Sequence, residues 1–328
     1  MTLSRGAIGN LVNRYRAVLR KCRMMNVFGS LAVAGMLVAG NAGFAGAEEL
    51  SGDISPISLS GDTRNIIGVG DISLRSTEPA LRYLINVSGQ GQLDISMSNG
   101  SPMAVGNADG IYLKDYSDYD QYASAFHVAG SGSSGSFAGT GTFSMVGGGK
   151  LLGVCAFLSE SKGTLTLSGD ITGEAEAVMN GSNGYASFAA AAAGGNLVFG
   201  GDRTTLRAKA STGNNANGAF VKYGGMIDFA SKSVLIESKN TDSSSVGINC
   251  ADGTVKTSAD TDLDIVVEGN KATTGIQLTA SSSDVQLAGN LDLTATQTGQ
   301  DSFASVLGIS NDSGKMVVSG PTSLRLVT

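Results

Sequence analysis

The chain has 328 residues, including 47 glycines and 41 serines but only 4 prolines and no tryptophan, and its formal net charge is −6. Hydrophobic residues make up 41% and charged residues 15%, so the chain can bury a core and is not a disordered low-complexity tail. The absence of a Gly-X-Y period excludes collagen, and one histidine with three cysteines leaves few ligands for a zinc ribbon or a histidine-rich metal site.

Residues 1–47 have the pattern of a secretory signal peptide. Six basic residues precede the first acidic residue, Glu48, residues 27–39 are apolar, and Ala-Gly-Ala at 45–47 suits a signal peptidase. The apolar run is shorter than the ~20 residues that a membrane-spanning helix needs. Cleavage after Ala47 leaves 16 basic against 28 acidic residues, a net charge of −12, which disfavours nucleic acid as a partner. The alternative is a start at Met24 or Met25, which removes the basic head.

Residues 161–328 contain a repeat of about thirty residues. One short motif recurs with steps of 32, 30, 28, 30 and 31 residues. It begins with alternating apolar residues, continues with small residues, and most often ends with Asp, Asn or Pro. Its copies begin at Leu165, Leu197, Ile227, Val255, Val285 and Met316. A period of this length indicates a stack of repeated units. An outlying copy begins at Ile57 and a partial one at Leu93, so residues 48–160 are predicted to be an irregular part of the same stack with an insertion loop.

Each repeat contains three short runs in which apolar and polar residues alternate, as in β-strands, separated by turn-forming residues. Three successive repeats place these runs at 205–208, 219–223 and 226–229, at 234–237, 246–249 and 254–256, and at 263–267, 275–278 and 284–287. The pattern predicts an all-β fold, a right-handed parallel β-helix with three strands per coil and about nine coils. The alternative is an antiparallel sandwich of short strands, which does not need the thirty-residue repeat.

The alternation also predicts inward side chains, and the small pair after the third strand predicts a tight corner where glycine adopts a positive φ. The alanine-rich run at 189–193 is predicted to be a middle strand, not a helix. The predicted inward residues are Leu206, Ile227, Leu235, Val255, Leu263, Ile265, Ile276, Val285, Leu287, Leu293 and Val318.

Cys155 and Cys250 are 95 residues apart, which corresponds to about three coils. At ~4.8 Å per coil they are separated by ~14 Å, too far for a disulfide. The sequence therefore predicts two buried free thiols after removal of the leader, although secretion would permit a disulfide.

Motifs for catalysis are weak. Gly-x-Gly-x-x-Gly at 130–135 has neither a following helix pattern nor an acidic residue at the dinucleotide-binding distance. His127 is the only ordinary general base, no Gly-x-Ser-x-Gly occurs, and we expect His127 to be a surface or turn-adjacent residue. We therefore predict that the protein is not an enzyme and has no catalytic residue, cofactor or metal.

A carbohydrate-active β-helix, binding a polysaccharide or acting as a lyase, remains the alternative from a different class. It would require convergent Asp, Glu or Arg side chains on an outward face. Asp202 and Asp260 occupy the repeated corner position, where Asp is a common turn residue. The candidates are Asp202, Arg203, Asp260, Asp262 and Asp264.

The densest aromatic cluster lies in the part that departs from the repeat. Four of the eight tyrosines fall between residues 112 and 122, interleaved with aspartates. An insertion that projects from a solenoid is a common place for recognition, and tyrosine is favoured at contact surfaces. The alternative is a solvated loop, and the spacing fits no calcium loop. The predicted ligand-binding residues are Tyr112, Asp115, Tyr116, Asp118, Tyr119, Asp120 and Tyr122.

The long basic head, with Asn-Arg-Tyr-Arg at 13–16 and Leu-Arg-Lys-Cys-Arg at 19–23, resembles the extended signal region of autotransporters, which use type V secretion. Together with the repeat, the chain resembles an autotransporter passenger domain. The resemblance implies export through the signal peptide, secretion or display on the outer membrane of a Gram-negative bacterium, and adhesion to a host or matrix ligand, with a glycan as one candidate.

The chain departs from that family at its end. Autotransporters usually end in a translocator β-barrel, whereas this chain stops within a predicted coil, at Leu326-Val327-Thr328. The expectation is either a truncated passenger or another export route. An open coil exposes strand edges, so self-association as a structural fragment is a third hypothesis.

Overall fold

The computed structural model describes residues 47–78, 81–98, 100–107, 122–148, 153–178, 186–211, 215–299 and 305–328. The described elements are strands, in a compact unit that spans Glu48–Thr328. In chain order they are β1 Glu48–Asp53, β2 Ile57–Ser60, β3 Thr63–Ser76, β4 Tyr83–Ser88, β5 Gln92–Met97, β6 Pro102–Asn107, β7 Tyr122–Ala129, β8 Ser134–Gly147, β9 Gly153–Glu160, β10 Thr164–Ala177, β11 Ala186–Ala193, β12 Asn196–Ala210, β13 Asn215–Lys222, β14 Gly225–Phe229, β15 Ser233–Asn240, β16 Ser245–Cys250, β17 Gly253–Thr257, β18 Asp262–Gly269, β19 Ala272–Leu278, β20 Ser283–Leu287, β21 Asn290–Gln297, β22 Ser305–Asn311, β23 Lys315–Val318 and β24 Thr322–Val327.

The strands form a parallel β-helix of about eight turns. One sheet, here called sheet B, is one side of every coil and has the order β2-β4-β7-β9-β11-β13-β16-β19-β22. The other, sheet A, covers the two remaining sides, and its long strands β3, β8, β10 and β12 continue around the corner between them. Because strands of successive coils pair in parallel, the predicted β-helix is confirmed and the antiparallel sandwich is excluded.

The sequence repeat is the physical repeat of the coil. The first residues of the motif pair in one column that runs along sheet A, because each coil adds one strand to that side. The column joins Leu165 to Leu197, Leu197 to Ile227, Ile227 to Val255, Val255 to Val285 and Val285 to Met316. The predicted strand positions are confirmed, including the alanine-rich run, which lies in β11.

The core is a continuous stack of inward side chains, as a solenoid requires, because one coil cannot bury its own apolar face. At its centre the Phe157 ring lies 5.1 Å from the Phe143 ring and 5.6 Å from the Phe199 ring, between centroids. Phe199 in turn stacks on Phe229 at 5.4 Å. These four rings are fully buried.

The predicted inward residues are buried in the core, with two exceptions. Val318 is partly buried and packs against it. Leu235 was assigned wrongly, because it points outward, whereas its neighbours Val234 and Ile236 are fully buried. Three consecutive apolar residues do not reveal which alternate set faces the core. Pairing decides it, because Leu235 is aligned with the exposed Asp264 of the next coil.

The predicted tight corner is also present. Gly169 and Gly201 have φ values of +110° and +97°, in a region that favours glycine. A Cβ on Gly169 would collide with the carbonyl oxygen of Gly139 in the adjacent coil. The small residues therefore allow the two sides of sheet A to bend sharply while the coils remain closely stacked.

Candidate functional site

The outward surface of sheet B carries two columns of side chains, because each strand pairs in register with the next. The first outer column consists of Asn86, His127, Leu158, Ala191, Phe220, Asn249, Gln277 and Ser310. The second outer column consists of Tyr83, Ser124, Cys155, Phe188, Asn217, Val246, Thr274 and Leu307. Along the solenoid the two columns change from closely packed, around Cys155 and Leu158, to a groove around Asn249 and Gln277.

In the N-terminal half, the outer surface of sheet B carries a second hydrophobic cluster, separate from the core. It contains Tyr122, Cys155, Leu158, Phe188 and Ala191, all of which are buried. Burial raises the pKa of the Tyr122 hydroxyl far above its ordinary value, with smaller contributions from Cys155 and Glu160. Tyr122, Cys155, Leu158 and Ala191 stabilise the packing of this face and are not available as exposed contacts, whereas Phe188 also borders the groove of the C-terminal half.

His127 lies in the same half and corrects the prediction of a surface or turn-adjacent residue. It is within β7 and 5% exposed. Its Nδ1 is 2.8 Å from the Asn86 side-chain oxygen, its Nε2 is 3.0 Å from a Glu160 carboxylate oxygen, and its ring stacks on Tyr83 at 4.0 Å. A polar ring can be buried here because the neighbouring coils supply partners for both nitrogens. Those partners are 41 and 33 residues away, so local sequence does not reveal them.

In the C-terminal half, the same surface forms a groove with a volume of about 330 Å³. We call it the amide groove, and it is lined by Ala186, Phe188, Asn215, Asn217, Phe220, Ser244, Val246, Ala272, Thr274, Asn249 and Gln277. The described lining contains no charged side chain. At one end the Phe188 and Phe220 rings stack with centroids 4.7 Å apart and an interplanar angle of 29°.

The amides of the groove supply both donors and acceptors. The Asn249 Nδ2 donates a hydrogen bond of 3.2 Å to the side-chain oxygen of Asn217, which is 4% exposed. The Asn249 Oδ1 is buried and has no hydrogen-bond partner among the described residues. Gln277 follows Asn249 on the next strand. The groove therefore has an apolar aromatic end and an amide floor with at least one unused acceptor.

Most of the predicted binding residues cannot be placed. Tyr112, Asp115, Tyr116, Asp118, Tyr119 and Asp120 lie outside the described residues. Tyr122 is described and is 5% exposed, in edge-to-face contact with Phe188 at 5.9 Å between centroids. It therefore links the end of the tyrosine-rich segment to the aromatic end of the amide groove.

The acidic candidates for a carbohydrate-active site do not line the amide groove. Asp202 forms an exposed ion pair of 2.6 Å with Lys232, which lowers the pKa of Asp202. Asp262 accepts a hydrogen bond of 2.6 Å from Asn290. Arg203 lies in the same long strand as Asp202, and Asp260 occupies the turn before Asp262, as its corner position predicted.

Asp264 is the acidic candidate whose pKa is raised. Burial raises its pKa, with further contributions from Asp292 on the next strand and from Glu237. The side chain is nonetheless exposed, on the outer surface of sheet A. Within the described ranges no group of three His, Cys, Asp or Glu side chains could hold a metal ion.

The cysteine prediction is confirmed, since Cys155 and Cys250 are both buried and free. The column of Cys155 reaches Val246, in the strand of Cys250, three coils later. Burial raises the pKa of the Cys155 thiol well above its ordinary value, and burial also raises the pKa of Cys250. Both thiols are therefore protonated and unsuited to nucleophilic chemistry at neutral pH.

Sequence reasoning missed the amide groove, although a signal for it exists. Phe220, Asn249 and Gln277 recur at 29 and 28 residues, the same interval as the motif of the inner face. A search for outward residues at the repeat interval would have placed them in one column.

In the part of the chain that the structure describes, no helix has the length and apolar character needed to cross a membrane. Comparison of the chain with protein-family models, with curated proteins and with solved structures found no match.

Proposed function

We propose that the protein is an exported, non-enzymatic β-helical rod, similar to the passenger part of an autotransporter, and that it acts by binding a ligand at a surface. The export part of the proposal rests on the basic head, apolar run and small-residue site in residues 1–47. The binding part rests chiefly on the amide groove, a concave site with convergent polar groups on a stacked scaffold.

The chemistry of the groove supports binding over catalysis. Turnover of a glycosidic bond usually needs two carboxyl groups on either side of the bond. The described lining of the groove carries amides, hydroxyls and aromatic rings instead. Asp264, the carboxyl group whose pKa is raised, is on sheet A, whereas the groove is on sheet B.

The test is binding of the purified protein to a glycan array and to immobilised extracellular-matrix proteins. A variant with Tyr112, Tyr116 and Tyr119 changed to Ser tests the tyrosine-rich segment, and Tyr122 is left intact because it is buried. Saturable binding to one of these surfaces is the expected result, and loss in the variant would place part of the contact in that segment. Absence of binding to every surface would overturn the binding proposal.

Export has its own measurement. Expression in a Gram-negative host with the native leader, followed by intact-mass analysis of the exported protein, should give a chain that begins at Glu48. A cytoplasmic product that retains residues 1–47 would contradict the export proposal.

A further inference from the structure

We infer that the amide groove binds a neutral oligosaccharide. This inference rests on the proposed binding function and names the ligand class for it. Three properties of the described lining support it: the absence of charge, the pairing of amide donors with amide acceptors, and the aromatic end.

Charge is the first property. The chain without its leader has a net charge of −12, yet the described lining of the groove carries no Asp, Glu, Lys or Arg. The Lys222 ammonium lies over the Phe220 ring, 5.8 Å from its centre, but is not part of the lining. A charged ligand would lose water on entering the lining itself without gaining an opposite charge there, which is costly. The protein's overall negative charge further disfavours an anionic glycan. The ligand that fits this lining is neutral.

Hydrogen-bonding capacity is the second property. Each carboxamide presents both a carbonyl acceptor and an N–H₂ donor, and Thr274 and Ser244 add hydroxyls that do both. Sugar hydroxyls likewise donate and accept at the same atom, so they match this lining group by group. The Asn249 Oδ1 is an acceptor that is buried and without a partner among the described residues, which is costly unless a ligand or water donates to it.

The aromatic end is the third property. Phe188 and Phe220 stack on each other where they line the groove, and a Phe ring supplies apolar contact area with no polar atom. A sugar ring has an apolar C–H side as well as hydroxyl edges. Such a ring can therefore contact Phe220, which is half-buried, while its hydroxyls reach the amides of Asn249 and Gln277, which are also half-buried.

The periodicity of the site favours a polymer of identical units. Asn249 and Gln277 are paired positions on adjacent strands, so their backbones are ~4.8 Å apart and their groups repeat along the solenoid axis. An extended peptide is the competing occupant, but peptides that dock on sheets usually pair with an exposed strand edge. The amide groove is on the face of sheet B, where the strands β13, β16 and β19 are already paired on both sides.

The experiment uses the purified protein and an array that contains neutral glycans, sialylated glycans and uronic-acid oligosaccharides. The neutral glycan with the strongest signal is then titrated by calorimetry, and a neutral Ser/Asn-rich dodecapeptide is titrated beside it. The variants are Gln277→Ala and Asn249→Ala. The control is Ser310→Ala, which lies in the first outer column but outside the groove lining.

We expect saturable binding of a neutral glycan. Gln277→Ala and Asn249→Ala should each weaken the affinity about tenfold, because each substitution removes about one hydrogen bond between the amide and the glycan. The affinity of the Ser310→Ala control should be unchanged. Matching thermal unfolding of Gln277→Ala and the unmodified protein shows that the loss is local. Binding only to acidic glycans, to the peptide or to matrix proteins would overturn this inference while leaving the binding function intact. Binding to no probe would overturn both, and neutral-glycan binding that both variants retain would exclude the amide groove as the site.

Discussion

The two halves of sheet B's outer surface differ although they share one backbone arrangement. At the N-terminal half the first outer column holds His127 and Leu158, both buried, whereas at the C-terminal half it holds Asn249 and Gln277. The inner column of the same strands is apolar throughout, from Ile85, Phe126 and Phe157 through Ala190 and Ala219 to Ile248 and Ile276.

This difference shows where a solenoid can vary. Inner side chains must pack against those of the next coil, so their polarity is constrained at every turn. Outer side chains contact their column neighbours and whatever covers them, so one coil can supply a buried His127 and another a groove amide. Substitutions in the shared core should therefore affect stability, and substitutions on the outer surface should have effects that depend on the half.

The largest expected effect tests the part that both halves share. Phe157→Ala should lower the free energy of unfolding by about 3–5 kcal/mol, because it removes a fully buried ring between Phe143 and Phe199 and leaves a cavity. Urea unfolding followed by circular dichroism measures it. Phe157→Leu is the matched control and should cost less, and a loss below about 1 kcal/mol for the alanine variant would contradict a continuous core.

The direct comparison of the halves is His127→Ala against Gln277→Ala, at two positions of one column. His127→Ala should cost about 1–3 kcal/mol, because it leaves Asn86 and Glu160 without their partner. Gln277→Ala should stay within about 0.5 kcal/mol, as is usual for substitutions away from buried networks, and should change ligand binding instead. Equal losses of stability in both variants would contradict a buried network in the N-terminal half and a groove in the C-terminal half.

Thiol reactivity tests whether Cys155, in the outer cluster, and Cys250, in the core, are both buried. In the chain that begins at Glu48, Cys155 and Cys250 should be unreactive towards Ellman's reagent at pH 8, since burial raises both thiol pKa values and blocks access. Addition of 6 M guanidinium chloride should release two thiols per chain. Rapid reaction of one thiol in the native protein would indicate that the outer cluster around Cys155 is open.

The smallest expected effect extends the comparison to sheet A. The folded-state pKa of Asp264 is raised, so its contribution to stability is present at low pH and is lost as the pH rises through that value. Asp264→Asn should therefore stabilise the protein slightly at pH 7, by less than about 0.5 kcal/mol because the side chain is exposed, and should have no effect near pH 3. Urea midpoints at the two pH values measure it, and destabilisation at pH 7 would refute the assigned direction.

The repeat interval by itself determined the fold. The six motif copies from Leu165 to Met316 stack residue on residue, and the three runs in each repeat are the three strands of each coil. It also placed Cys155 and Cys250 three coils apart and out of reach of a disulfide. These predictions succeeded because parallel stacking converts a sequence interval into a spatial neighbour.

Only the tertiary structure decided which outer residues meet. Leu235 was oriented by its pairing, His127 was buried by partners 41 and 33 residues away, and Asn217, Asn249 and Gln277 became one groove across three coils. The physical reason is that outer side chains do not have to pack in the core, so core packing does not restrict their polarity or their partners. Their burial and their partners depend on which side chains the neighbouring coils place beside them, and the local sequence pattern does not predict those neighbours.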